Sequence, residues 1–359
     1  MAEKTISRKR LHRFALLKPQ KVIEGIEMAE TMKEFFERRP ELNCIIFAGK
    51  GGLGKTTFSA ATSHWLAEQG KRTLCFSTDP QASLSDIFER DIYGKGIQSF
   101  APNLHVLEID SDKRVNEYQE SIRKKILDMY NLKELPKEID EYIKAAASEP
   151  AMHESATYDA MAELMVKRDH SYYVFDMPPF GHGIRMVSMA LILDTWIDKI
   201  TELRMKAREY DEAMAALRGR TEAEKEDVIL KELTEIREKL DFFSGVLTDS
   251  KRTAFFMVLI PEKMAILDTE RALKMFDSMK LNLSGIIVNM VYPPELLKMK
   301  DLGDFLKHRI EMQQRYMKVI WEKFEPYIRA VVPMYDREPK GLKMIAKVAG
   351  DLFGWKLER

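Results

Sequence analysis

The sequence predicts an α/β fold: a mainly parallel sheet covered by helices on both faces, with an α-helical subdomain formed by two insertions. Short, continuous apolar runs recur along the chain with helical patterns between them, as in a parallel sheet buried on both faces. Two long stretches, 111–170 and 194–251, interrupt that rhythm with almost purely helical periodicity. A Gly-rich turn, GKGGLGKTT, follows the first apolar run.

The elements follow in order. Residues 1–13 are basic, lack the apolar stretch of a secretory signal and read as a solvated arm. Val22, Ile26, Ala29 and Phe36 lie at helical spacing and predict a packed helix over 20–38, ended by Pro40. CIIFAG (44–49) is the first strand, TTFSAATSHWLAEQG (56–70) a helix stopped by Gly70, and RTLCFSTD (72–79) the second strand. Further strands are expected at 104–110, 171–176, 253–260, 284–289 and 328–333. In the second insertion Trp196, Ile200, Leu203, Ala207, Tyr210, Met214 and Leu217 recur at steps of four and three. After a capping box at Thr221 and Glu224, Ile229, Leu233, Ile236, Leu240 and Phe243 do the same. Two such seams predict an antiparallel hairpin whose narrow apolar stripe is used up by its own pairing. The expected division is 1–42 as arm and N-terminal helix; 43–110, 171–193 and 252–359 as the sheet domain; and 111–170 with 194–251 as the helical subdomain.

Composition narrows the function classes. Lys+Arg and Asp+Glu both number 57 in 359 residues, so net charge offers no bulk attraction to nucleic acid, and no DNA partner is expected. No apolar run approaches the ~18 residues of a membrane span. Cys44 and Cys75 both fall in predicted strands and form neither a disulfide framework nor a metal set. The expected location is cytoplasmic, with room for transient membrane association.

Gly49, Lys50, Gly51, Gly52, Leu53, Gly54, Lys55 and Thr56 fit G-x-x-x-x-G-K-[ST] in full, after a strand and before a helix, and Thr57 completes the run. This is a phosphate-binding loop, so the sheet domain is a P-loop NTPase and ATP with Mg²⁺ the expected ligand. Glycines let successive N–H groups converge on phosphate oxygens, and the helix N-terminus adds partial positive charge. Lys55 would reach the β- and γ-phosphates, and the Thr56 hydroxyl would ligate Mg²⁺. Asp79 ends a strand beside the phosphates, where a carboxylate can orient or deprotonate a water or simply cap a helix. Asp176 ends another strand and suits a Mg²⁺-water ligand. Gly181 and Gly183 flank His182 in a loop free to move when the γ-phosphate leaves. Lys50 has two readings: a solvated charge, or a lysine that neutralises the phosphates of a second subunit's nucleotide.

GKGGLGKTT resembles the deviant phosphate loop of the MinD, ParA, nitrogenase iron protein and ArsA ATPases, in which the early lysine acts across a dimer. STDPQASLSD (77–86) and DMPPFGHGIR (176–185) resemble the two switches of the ArsA and tail-anchored-protein targeting (GET pathway) ATPases. PEKMAILDTER (261–271), VN (288–289) and VVPMYDREPKGL (331–342) follow in the same order. The resemblance covers roughly residues 43–350. It implies a homodimer, a catalytic role for Asp79 with Lys50 acting in trans, and nucleotide contacts from Glu262, Asn289 and Pro333. The chain also departs from these relatives. Ala82 stands where the first switch usually has histidine. MVYPPELLKMKDLGDF lacks the C-x-x-C of eukaryotic targeting factors, so no zinc staple is expected. Soft metalloids need thiolates, so an arsenite site is not expected, nor is an iron–sulfur centre.

The leading reading is therefore an ATP-hydrolysing dimeric targeting or chaperone factor that captures apolar segments such as tail anchors. The second is an ATPase subunit driving an arsenite-type anion transporter, and the third a MinD- or ParA-like spatial regulator. The chain has 22 methionines, and methionine suits adaptable apolar grooves as well as helix cores. Met152, Met161, Met165, Met186 and Met189 cluster around the insertion ends and the second switch, and are the expected groove lining.

Overall fold

Both faces of the expected strands are apolar, and the computed structural model buries both. It describes residues 28–79, 83–130, 132–147, 150–178, 198–199, 201–206, 209–210, 228–279, 281–299 and 301–354. The strands are β1 (Cys44–Ala48), β2 (Thr73–Ser77), β3 (Gln98–Ala101), β4 (Leu104–Glu108), β5 (Tyr172–Asp176), β6 (Thr253–Leu259), β7 (Leu283–Val291) and β8 (Ile328–Pro333). They form one sheet in the order β3-β4-β2-β5-β1-β6-β7-β8. Every pairing is parallel except β3 with β4. The chain leaves β1 toward β2 on one side and returns through β5 to β6 on the other. In such sheets ligands bind in the crevice beyond the C-terminal strand ends, where the order reverses.

β3 was not expected. QSFA is short, half-exposed and without an apolar run, and it pairs antiparallel only at the sheet edge, with a register shift.

The helices are α1 (Met32–Glu37), α2 (Lys55–Glu68), α3 (Ser83–Phe88), α4 (Ser111–Tyr130), α5 (Lys137–Ala147), α6 (Pro150–Lys167), α7 (Val228–Thr248), α8 (Lys263–Ser278), α9 (Asp304–Phe324) and α10 (Gly341–Phe353). Helix α2 is buried nearly all round. Two of its buried hydroxyls are satisfied by back-bonding: Ser59 Oγ donates to the Lys55 carbonyl at 3.1 Å and Ser63 Oγ to the Ser59 carbonyl at 2.8 Å, while Thr62 Oγ1 has no partner.

The single helix expected over 20–38 is corrected. Of that span residues 28–38 are described, and there only Met32–Glu37 is helical, because Thr31 starts it with a capping box to Glu34. Nor do residues 28–42 stand apart from the sheet domain. Met32, Phe35, Phe36 and Leu42 are buried in its core, where Phe36 packs edge-on against Trp65 and Phe353, which stack at 4.0 Å. Buried Glu30 accepts from Arg39 at 3.1 Å and Arg38 at 3.4 Å, and pairs with buried Arg329 of β8 at 3.5 Å. Removing a partner from a buried pair strands the other charge. Glu30→Ala is therefore expected to destabilise the fold by about 3–5 kcal/mol in denaturant unfolding.

The chain divides into two compact units, with boundaries at 109/110, 169/170, 180/181 and 248/249. The first holds the sheet. In the second, α6 and α7 pack through Tyr158 and Phe243, with ring centroids 4.7 Å apart. Leu240 and Phe243 are buried as a seam requires, but Ile236, Leu203 and Tyr210 are 40%, 60% and 76% exposed. The self-satisfied stripe is thus corrected at those positions. One cross-contact there is ionic, Arg237 with Asp198. The rest of the expected hairpin's first arm lies largely outside the described residues.

Candidate functional site

The loop between β1 and α2 is shaped by glycines that no other residue could replace. Gly54 has φ +101°, and a Cβ there would lie 2.5 Å from Asn289 Nδ2. Gly49 has φ +149°, and its Cβ would lie 2.7 Å from the Val258 carbonyl oxygen. The loop therefore passes close against β6 at Val258 and β7 at Asn289, where glycine alone leaves room. Asn289, near the end of β7, donates from Nδ2 to the Leu53 carbonyl at 2.8 Å and clamps the loop from below.

The loop opens onto a cleft of about 540 Å³. Gly52, Gly54, Lys55, Thr56 and Thr57 line its floor, Asn289 and Pro333 one wall, and Met334, Tyr335 and residues 337–340 the rim. The expected Asn289 and Pro333 thus meet the phosphate loop in one cavity. Glu262 does not line it. It faces an adjoining 110 Å³ cleft, its carboxylate 3.3 Å from Arg309 Nη2. Tyr335, which the sequence did not single out, anchors the rim loop by donating to Asp351 Oδ2 at 2.7 Å. Burial and that carboxylate push its phenol up.

At the deep end Lys55 is 7% exposed, and its ammonium donates to the Lys50 carbonyl at 3.3 Å. Burial lowers its pKa, while the charges of Asp176 and Asp79 oppose that shift. A cation so placed has a strong electrostatic demand for an anion. Asp79 follows the end of β2, with its N–H donating to Ser77 Oγ at 3.1 Å. Lys50, in contrast, is 60% exposed at its side chain and does not line the cleft; its ammonium lies 3.9 Å from Asp268 of α8.

Thr56 Oγ1 donates to Asp176 Oδ2 at 2.7 Å, and Ser83 Oγ to the same oxygen at 3.2 Å. Asp176 is 2% exposed and its Oδ1 has no hydrogen-bond partner. An orphaned buried carboxylate oxygen beside a loop threonine fits a hydrated Mg²⁺, which takes few protein ligands and keeps its waters. Thr56 and Asp176 would hold it, and it would neutralise phosphate charge. Ser83 was missed in the sequence, since a serine after PQA carries no signal of its own.

Burial raises Asp176 from the ordinary 3.8 to about 6. A folded-state value above the unfolded one means stability present below pH 4 that is lost as pH rises through 6. The rise is worth on the order of 3 kcal/mol. Asp176→Asn is therefore expected to stabilise the nucleotide-free protein at pH 7.5 while abolishing Mg²⁺-dependent turnover. Thermal unfolding of both forms from pH 4 to 8 checks it: the gap should be near zero at pH 4 and full above pH 7.

Of the expected groove residues, only Met161 and Met165 have described side chains. Met161 and Met165 on α6 are 2% and 4% exposed, so they fill the interior of the helical unit; this corrects their assignment as groove lining. Met152 lies on the same helix. Met186, Met189 and the second-switch residues 181–183 fall outside the described residues. Cys44 and Cys75 are buried on β1 and β2 with β5 between them, ~10 Å apart at strand spacing. Burial pushes the Cys44 thiol up to about 12, and Cys75 likewise upward.

Residues 42–354 match the family model described as anion-transporting ATPase. A protein of Aquifex aeolicus named as an arsenical pump-driving ATPase is 29% identical over 306 residues, covering 85% of this chain and 97% of its own. An ATPase ASNA1 homolog of Paramecium tetraurelia is 27% identical, covering 88% and 94%. The ATPase get3 of Pyrenophora tritici-repentis is 25% identical, covering 89% and 94%.

Proposed function

The chain belongs to the anion-transporting ATPase (ArsA) family, and from that premise we propose that it is an ATP-hydrolysing homodimeric factor that captures apolar segments, tail anchors of membrane proteins among them. Hydrolysis follows from the family and suits the site: a buried lysine at the loop, an aspartate pair around it and a cleft of nucleotide size. Capture rests on one observation. The helical unit exposes large apolar side chains, with Leu203, Met205 and Tyr210 each more than half accessible and Val166 and Tyr118 close to it. We read these side chains as the surface an apolar partner would cover, as contiguous exposed apolar patches are at interaction sites. Among the described residues no helix is long and apolar enough to cross a membrane.

Binding of a ~20-residue apolar helix is expected to depend on the nucleotide. A hydrolysis-deficient form should crosslink a tail-anchor peptide with ATP and release it with ADP. Equal capture in both states, or none, would sink the targeting reading. Some relatives carry a pump-driving name, which keeps a transporter-driving role as the second reading. The two thiols are too buried and too far apart to share a metalloid, so arsenite is expected to leave the ATPase rate unchanged. Several-fold stimulation lost on replacing Cys44 and Cys75 would favour the pump.

A further inference from the structure

Glu108 is an acid with no solvent exposure, at the end of β4. One carboxylate oxygen accepts from the Leu84 N–H at 2.8 Å. The other accepts from the Ser85 N–H at 3.1 Å and from Ser85 Oγ at 2.5 Å. Both amides belong to the first turn of α3, where orphaned donors and the helix dipole favour a carboxylate. Ser85 Oγ in turn accepts from the Ile92 N–H at 3.0 Å, beyond the far end of the helix. The Glu108 carbonyl accepts from the Gly94 N–H at 3.2 Å. The excursion from Ser83 to Gly94 is thus wrapped around one residue.

Glu108 also sits beside the other end of the catalytic segment. In the β2–β4 ladder it is the register partner of Ser77. The Ile109 N–H donates to the Ser77 carbonyl at 2.9 Å, and the Ser77 hydroxyl holds the Asp79 N–H. Ser83, just before Glu108's two amides, bonds Asp176. Asp79 on one side is thus tied to the β4 backbone beside Glu108, and Ser83 on the other adjoins the two amides held by its carboxylate, which does not line the cleft.

We propose that Glu108 is a positioning residue for ATP hydrolysis: its carboxylate fixes the first turn of α3, so that Ser83 and its contact with Asp176 are held in register with the phosphates. The inference rests on the ATPase reading. A glutamine at 108 can accept through only one oxygen and turns an N–H₂ toward the Ser85 donors, so the first turn of α3 loses half its anchor.

The test compares steady-state kinetics of wild type, Glu108→Gln, Ser85→Ala and Ser83→Ala. Glu108→Gln should lower kcat by roughly 10–100-fold, the scale of an ångström-level misplacement, with KM for ATP within about threefold. Ser85→Ala removes one donor and should give a smaller loss in the same direction. It is the variant to rely on if Glu108→Gln does not fold. Ser83→Ala and Glu108→Gln act on one helix, so their effects on log kcat should fail to add, while their effects on Tm need not couple. A folded Glu108→Gln or Ser85→Ala enzyme with wild-type kcat would overturn the proposal, and so would additive losses in the double variant. Absence of ATP hydrolysis by the wild type would instead overturn the ATPase reading beneath it.

Discussion

Asp79→Asn is expected to bind ATP at close to normal affinity and to turn it over roughly 10²–10⁴-fold more slowly, the range a positioned general base contributes. The geometry separates the two properties. Binding is expected to rest on the loop amides, on Lys55 and on the cleft walls at Asn289 and Pro333. Asp79 is close enough for its charge to act on Lys55, so neutralising it removes an anion competing with the phosphates, and affinity should hold or rise. Lys55→Ala is the opposite case: it deletes the buried cation that anchors the phosphates, and nucleotide binding itself should be lost. Equilibrium binding of a fluorescent ATP analogue, measured beside single-turnover hydrolysis, distinguishes them. Normal turnover by Asp79→Asn would remove it from the catalytic role.

The part of the site that was legible in the sequence is the part built from one short segment. The phosphate loop reads directly because its glycines are demanded by local backbone geometry: Gly49 and Gly54 sit at positive φ against Val258 and Asn289. The seven expected strands read because both faces of each are apolar, and their observed ends differ from expectation by no more than a few residues. What was illegible depends on partners distant in the chain. Glu108 in LHVLEID looks like any polar residue closing a strand; its three donors lie more than twenty residues earlier. Ser83 matters only because Asp176 lies 93 residues away. The apolar periodicity of 194–243 was real, yet a period names a face without saying what covers it, and Leu203 and Tyr210 are left uncovered. The same limit applies to Met161 and Met165: methionines near a presumed groove turn out to be interior packing.

Lys50→Ala is expected to bind ATP and to lose roughly 10³–10⁵-fold in turnover, the range of a charged finger supplied to the separating phosphates. Two lysines five residues apart in one tight loop are placed quite differently. Lys55 is buried at the cleft floor, while the Lys50 side chain leaves the loop on the outside and approaches Asp268 at 3.9 Å. Its carbonyl, not its ammonium, serves the local site, by receiving the Lys55 Nζ donor. Truncation to alanine keeps that carbonyl, so the loop and the nucleotide affinity of the same chain should survive. The exposed pair with Asp268 is worth little, so the ammonium can be released at small cost to reach phosphates presented by a second copy. Complementation separates action in trans from action in cis. Mixed with Asp79→Asn, Lys50→Ala forms heterodimers in which one site has its own Asp79 and receives Lys50 from the other subunit, and that site should turn over. Activity recovered on mixing two inactive forms is the expected result; a verified heterodimer that stays inactive would show that Lys50 serves only its own nucleotide.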